Sequence, residues 1–199
     1  GNTLDPNRPT ASNQLSKYIL PESVLLSGSE AAKDWTKGEG PTQIFDGNPA
    51  TKGGIQYDAD HPATLTWQTS EPVILEYYTL ATPGDGEGKR DPSAWTLYGS
   101  NTGGDDYVAI DAQTEVPMTV ARDAYYDQDF EVASPAAYSY YKLVITGYHE
   151  PPFNHCQFSE FVMSGKLPEA AVTDPVLHYT FDDGAKDVSG NGYDGTLYA

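Results

Sequence analysis

The feature that most limits how this chain can fold is a series of short runs in which apolar and polar residues alternate, each closed by a cluster of Gly, Pro, Asn and Asp. In "ATLTW", Ala63, Leu65 and Trp67 fall on one side and Thr64 and Thr66 on the other, the period of a half-buried strand. "AWTLYGS" repeats the pattern with Trp95 and Leu97, and "YYKLVITG" groups Tyr141, Leu143 and Ile145. "YYDQDFEV" collects Tyr126, Phe130 and Val132 while Asp127 and Asp129 point away. "PVILEYYTL" is apolar on both sides, as expected of a strand between two layers, and "CQFSEFVMSG" closes the series. The intervening "TPGDGEGKRDP" and "SNTGGDD" carry turn chemistry. "PTQIFDG" has room for a helical turn or two. Many short strands with Gly- and Pro-rich turns predict an all-β sandwich.

The 199 residues suffice for one well-buried domain. Residues 1–22 lack a clear period and read as a leader, and 23–166 as the sandwich. "LPEAAVTDP", 167–175, reads as an interdomain linker. Residues 176–199 then supply one strand and a Gly- and Asp-rich loop, too little for a core of their own, and predict a hairpin that docks by borrowed contacts.

Charge narrows the partners. The formal charge of −18, from 29 acids against 11 bases, repels phosphate backbones and anionic lipid surfaces, which argues against nucleic acid and membrane lipid. Neutral ligands or cations suit it better. No apolar run reaches the roughly 18 residues of a membrane span. The single cysteine, Cys156, leaves the compartment open.

Within "QIFDGNPATKGG", Asp46, Asn48 and Thr51 gather in one short loop. Asp-Gly and Asn-Pro are ordinary turn formers, so the loop is either turn chemistry or a set of hard oxygen ligands. Glu160 bears on the choice, because it shares an alternating row with Phe158 and Val162, where an unpaired carboxylate is costly to bury. His149, His155 and Cys156 match no common zinc spacing. No nucleophile elbow, phosphate loop or dinucleotide fingerprint occurs, and Asp105 with Asp106 sits in a turn, so no enzyme is expected.

Four pieces in order, "IFDGNPATK", "RDPSAWTLYGSN", "YYKLVIT" and "QFSEFVMSG", give residues 23–165 a resemblance to F5/8 type C, or discoidin-like, domains, including the family 32 carbohydrate-binding modules of bacterial glycosidases. The resemblance implies a galactose-binding-like jelly-roll β-sandwich with its first and last strands close together. It also implies a structural calcium ion held by Asp46, Asn48, Thr51 and Glu160, with carbonyls near Gln43 and Ser159; such a mixed oxygen set suits calcium. The alternative is that Asp46 caps a turn and Glu160 faces solvent at a sheet edge. "LHYTFDDGAKDVSGNGYDGTL" resembles the opening of a laminin-G or concanavalin-like domain, implying covalently linked neighbouring domains in a secreted, periplasmic or cell-surface bacterial protein.

Modules of this kind bind glycans at the loops of one end, with aromatic faces against the ring and polar groups against its hydroxyls. The loop candidates here are Tyr57, Asp58 and His61; Lys89 and Arg90; and Tyr148, His149, Phe153, Asn154 and His155. The expected ligand is a neutral, galactose-like sugar. "TKGGIQYD" lacks the Trp often found after the Thr in galactose binders, and "DHPA" displaces the usual His. Those departures favour an alternative, a structural spacer or protein-interaction domain without sugar binding.

Overall fold

The structure, a computed structural model, describes residues 17–19, 23–25, 38–150, 154–168 and 194–195, the first two segments as backbone. The chain divides into two compact units, Gly1–Pro168 and Glu169–Ala199. Of the second unit only 194–195 are described. The docked hairpin expected in the tail, the laminin-G-like start and most of the linker therefore lie outside the described residues.

The strands of the first unit are β1 (Lys17–Ile19), β2 (Ser23–Leu25), β3 (Gly53–Gln56), β4 (Thr64–Thr82), β5 (Pro92–Ser100), β6 (Val108–Gln113), β7 (Ala124–Tyr125), β8 (Phe130–Glu131), β9 (Ala137–Tyr148), β10 (His155–Phe158) and β11 (Glu160–Lys166). Helix is confined, among the described residues, to two 3-10 turns, Pro41–Ile44 and Gly86–Gly88. The large sheet runs β1-β11-β4-β9-β5-β6, with β2, β7 and β8 also on β4, and β10 pairs with β3 in a second sheet. All pairs are antiparallel. The pairing of β1 with β11, Lys17 opposite Gly165, brings the first and last strands together. β1 lies within the segment read from the sequence as a leader, and three residues are too few to show a period.

β4 is 19 residues long because it changes partners midway. Thr64–Gln68 lies between β2 and β9, whereas Ile74–Ala81 lies against β11 and reaches β7 and β8. Between Gln68 and Val73 the register with β9 shifts, and Thr69 fastens the irregular stretch by donating to the carbonyls of Glu71 (2.8 Å) and Ser139 (3.3 Å).

The runs of alternating residues bury the faces expected of them. Leu65, Trp67, Trp95, Leu97, Tyr126, Phe130, Val132, Tyr141, Leu143 and Ile145 are all buried. The second half of "PVILEYYTL" is buried on both faces as expected, with Tyr78, Thr79 and Leu80, and Ala81 after them, all buried, and the first half owes its two-faced appearance to a change of parity. Val73 and Leu75 are buried and Tyr77 is 37 % exposed, but Tyr78 and Leu80 are again buried. The parity flips because Leu75 pairs with Gly165 and Tyr77 with Ser164, which leaves Glu76 as a β-bulge.

An aromatic ladder fills the core. Trp67 stacks on Tyr141 (5.8 Å between centroids) and leans on Phe45 and Phe161. Phe161 stacks on Tyr78 (5.2 Å), Tyr78 on Phe130 (5.3 Å), and Phe130 meets Trp95 edge-on (5.0 Å). Aromatic polar tips must be satisfied when buried. Trp95 Nε1 donates to Tyr78 Oη (2.8 Å), which donates to Asp111 Oδ2 (2.5 Å), while Trp67 Nε1 meets the Met163 sulfur (3.1 Å).

The bulge gives a test of this packing. A Cβ at Gly165 would overlap the Ile74 carbonyl oxygen, whereas one at Gly40 meets nothing within 4 Å. Gly165→Ala should cost about 1–3 kcal/mol, as overpacking against a fixed backbone does. Gly40→Ala should stay within a few tenths. Urea unfolding of the two variants measures the difference.

Candidate functional site

Two groups of residues sit where buried polar atoms of β10 and β11 meet the loops. The first is built on the loop after the Pro41–Ile44 turn. Asp46 organises it: Oδ1 accepts from the Asn48 amide (2.8 Å) and Oδ2 from the Thr51 hydroxyl (2.7 Å). The Asn48 amide also donates to Glu160 Oε1 (2.8 Å), across 112 residues of chain. Glu160 is 2 % exposed, which excludes the solvent-facing alternative. Burial, and next the facing Asp46 carboxylate, push its carboxyl up to about 8. Ser159 lies at the bend immediately before it, with a buried hydroxyl that has no partner among the described residues. Gln43 stands in the 3-10 turn, its side chain accepting from the Gly40 amide (2.8 Å).

Two carboxyl groups held face to face, one of them buried, would be compensated by a dication. With a hydroxyl and an amide side chain alongside, the donor set is hard oxygen throughout and fits calcium rather than zinc. Among the described residues no three of His, Cys, Asp and Glu converge to hold a metal. Cys156 is fully buried, and burial pushes its thiol up.

The second group lies where β3 and β9 end and β5 and β10 begin. The β10-β3 ribbon sets His155 opposite Gln56, and the Tyr57 amide donates to the Asn154 carbonyl (3.0 Å). The ring of Tyr57 stacks on that of Tyr148 at 4.3 Å and 10°, both packed on the core edge. Asp58 closes the following turn, accepting from the amides of Asp60 and His61 and facing His61 Nδ1 at 2.8 Å. That imidazole holds Asp58 below the usual carboxylate range.

Arg90 Nη1 stands 3.4 Å from His155 Nδ1. Gly86, Glu87, Lys89 and Arg90 line a cleft of about 380 Å³. Lys89 pairs with Glu87 (3.3 Å) and Glu150 (3.4 Å). His149 is half-buried, its Nε2 enclosed without a partner among the described residues. Of the candidates, Tyr57, Tyr148, Asn154, His155, Lys89 and Arg90 are thus joined at one end, with Asp58 and His61 on the adjoining turn. Phe153 lies outside the described residues.

Sequence reasoning missed the residues that hold the cleft in place. Lys52 Nζ donates to both oxygens of Asp85 (2.7 Å each) and to Gln157 Oε1 (3.2 Å), and it pairs with Glu39 (3.3 Å). Gln157, fully buried in β10, returns a bond to the Asp85 carbonyl (3.1 Å). Burial works against Asp85 ionisation, yet the Lys52 ammonium holds its carboxyl below the ordinary value. Underneath, Arg122 grips buried Asp91 with both terminal nitrogens (2.6 and 3.1 Å) and reaches the Asp85 carbonyl (3.0 Å). The available signal was scarcity: with 11 bases against 29 acids, each base has carboxylates to choose from.

No protein-family model and no curated protein matches the sequence. Solved structures do match. An F5/8 type C domain of a Bacteroides fragilis protein aligns with a TM-score of 0.57 at 15% identity, covering 73% of this chain and 92% of that one. The family 32 carbohydrate-binding module of Clostridium perfringens NanJ, in complex with galactose, gives 0.55 at 12% identity over 75% and 99%. The corresponding module of AlyQ, in complex with 4,5-unsaturated mannuronic acid, gives 0.54 at 12% identity over 74% and 97%. At such identities the likeness is one of fold: the first unit is a galactose-binding-like β-sandwich.

Burial gives the second group a pH dependence. It pushes the imidazoles of His149 and His155 below 6.5, the nearby Arg90 adding to the effect at His155. The unfolded chain then takes up protons that the folded one refuses, so stability present above pH 6.5 is lost as pH falls below it. The limiting slope is about 1.4 kcal/mol per pH unit for each imidazole. Glu160, pushed up to about 8, changes stability in the opposite sense over the same range, so His149→Gln should lose less stability than the parent, or gain more, between pH 7 and pH 5, measured by urea unfolding at both.

Proposed function

We propose that this chain is a noncatalytic carbohydrate-binding module that holds a larger, secreted, glycan-active bacterial protein near its glycan. The observation that carries the reading is the contact of His155 with Arg90, which lines the cleft together with Lys89, while the Tyr57–Tyr148 stack is joined to His155 through the Tyr57 amide on the neighbouring Asn154 carbonyl. Guanidinium, imidazole and ammonium supply hydrogen-bond donors for hydroxyl oxygens, and the aromatic edges supply apolar surface. A cleft that covers one or two rings buries little area, so an isolated module should bind with a dissociation constant on the order of 1 mM. Avidity then comes from attached domains. The tail, in this reading, begins a laminin-G-like domain of the same protein.

A second reading, a spacer or protein-interaction domain, has one observation in its favour. The two aromatic rings expected to face a sugar cover each other instead, at 4.3 Å. A glycan array with the purified chain separates the two. Binding to a defined set of glycans, removed by Arg90→Ala with unchanged melting temperature, supports the module. An empty array supports the spacer.

Asp46, Asn48, Thr51 and Glu160 would hold a structural calcium ion, which supplies positive charge to a buried carboxylate pair and ties β11 to the 46–51 loop. Melting temperature should therefore rise with calcium and fall in chelator, by the linkage of binding to folding. Glu160→Gln should behave oppositely to the parent. It loses the calcium response but gains stability in chelator, because a neutral amide spares the cost of protonating a carboxyl whose titration is pushed up to about 8. Equal melting of parent and variant in both conditions would remove the site.

A further inference from the structure

We propose that Glu39, His155 and Arg90 form a proton-controlled relay, in which neutral His155 holds the Arg90 guanidinium at the cleft and the imidazolium releases it in favour of Glu39. The effect on glycan binding rests on the reading above; the relay itself stands apart from it. Backbone pairing brings the three residues together. His155 opens β10 opposite Gln56 of β3. The Glu39 carbonyl accepts from the Gly54 amide of β3 (3.0 Å), and the Arg90 carbonyl accepts from the Gln157 amide of β10 (3.2 Å). Both neighbours of the imidazole are therefore fixed to the ribbon that carries it.

The tautomer follows from the donors. A guanidinium has only N–H donors to offer, so the His155 Nδ1 that stands 3.4 Å from Arg90 Nη1 is the acceptor and carries no proton. The ring proton is then on Nε2, which faces Glu39 Oε2 at 3.7 Å. That oxygen is buried and has no hydrogen-bond partner among the described residues, while Oε1 pairs with Lys52 (3.3 Å). Glu39 thus has accepting capacity left on the side of the imidazole. Protonation reverses the arrangement, because an imidazolium donates through both nitrogens. Nδ1–H then meets the guanidinium as cation against cation, and Nε2–H meets a carboxylate. The charged groups around the ring are Arg90 and Lys52 against Glu39 and Asp85, and both acids already share Lys52. Burial first, and next the Arg90 charge, keep the imidazole below its ordinary value, so the form that holds Arg90 prevails at neutral pH. Below the midpoint the guanidinium loses this acceptor, and the cleft keeps Lys89 without an Arg90 oriented by His155.

Long-range proton–nitrogen NMR of the whole chain reads the relay without any sugar, with His155→Gln to assign the ring. At pH 7 the Nδ1 of His155 should be unprotonated and Nε2 protonated. Arg90→Ala should raise the titration midpoint of His155, and Glu39→Gln should lower it. A proton on Nδ1 at pH 7, or a midpoint that both substitutions leave in place, overturns the relay. Affinity for D-galactose, and for each glycan positive on the array, should fall by up to about tenfold per pH unit below that midpoint. His155→Gln should lose this pH dependence whatever its affinity. An affinity that stays constant while His155 titrates overturns its control of the cleft and leaves the module reading intact. Absence of binding to galactose and to every glycan on the array overturns the module reading, whereas the tautomer and the midpoints still decide the relay.

Discussion

The burial of polar side chains in the last two strands is the constraint from which both loop clusters follow. Gln157 and Ser159 are fully buried, Glu160 is 2 % and Ser164 1 % exposed. Burying such groups costs free energy unless partners are supplied. For Gln157 and Glu160 those partners come from loops distant in sequence. The 46–51 loop offers its Asn48 amide to Glu160, and the Gly86–Gly88 segment is fastened through Asp85 to Gln157. Thr51 and Lys52, adjacent in the chain, face the two systems, Thr51 on Asp46 and Lys52 on Asp85 and Gln157. One end of the sandwich is therefore shaped by what β10 and β11 require.

The sandwich itself was legible because alternation encodes burial directly. Each strand whose pattern could be read buried the expected face, from Leu65 and Trp67 to Leu143 and Ile145. What the pattern could not reveal was a change of parity inside a strand. The bulge at Glu76 and the shift between Gln68 and Val73 depend on which residues stand opposite, a property of two strands that neither sequence carries alone. The bulge also required Gly165, a residue that reads in isolation as an ordinary end to a strand. β1 was lost for a simpler reason, its brevity.

Site residues were legible in proportion to how far their chemistry departs from a loop's ordinary content. A carboxylate between apolar neighbours marks itself, and Glu160 proved to be buried as its row required. Arginine, histidine and tyrosine in Gly-rich loops also stood out, and several of them meet at one end. The Tyr57–Tyr148 stack was not visible, because 91 residues separate two rings whose contact is created by the meeting of β3 and β9 ends. Nor was Met118, which in "EVPMTV" looks like one more apolar residue in an irregular stretch. Its sulfur lies where a Cβ at Gly88 would stand.

The distribution of charge decides what kind of recognition this end can perform. The chain carries −18 overall, yet Lys52, Lys89, Arg90 and Arg122 gather around the Gly86–Gly88 turn. Lys52 faces Asp85 and Glu39, Lys89 faces Glu87 and Glu150, and Arg122 faces Asp91. Their positive charge is thus largely balanced where they stand, so the cleft exerts little net field while the remaining surface repels anions at longer range. Attraction of a polyanion is disfavoured on both counts. What remains is a set of donors, of which Lys52, Lys89 and Arg122 are fixed in direction by carboxylate partners. In the proposed glycan-binding role, such an arrangement would discriminate by the geometry of hydroxyl groups, a property in which one neutral sugar differs from another.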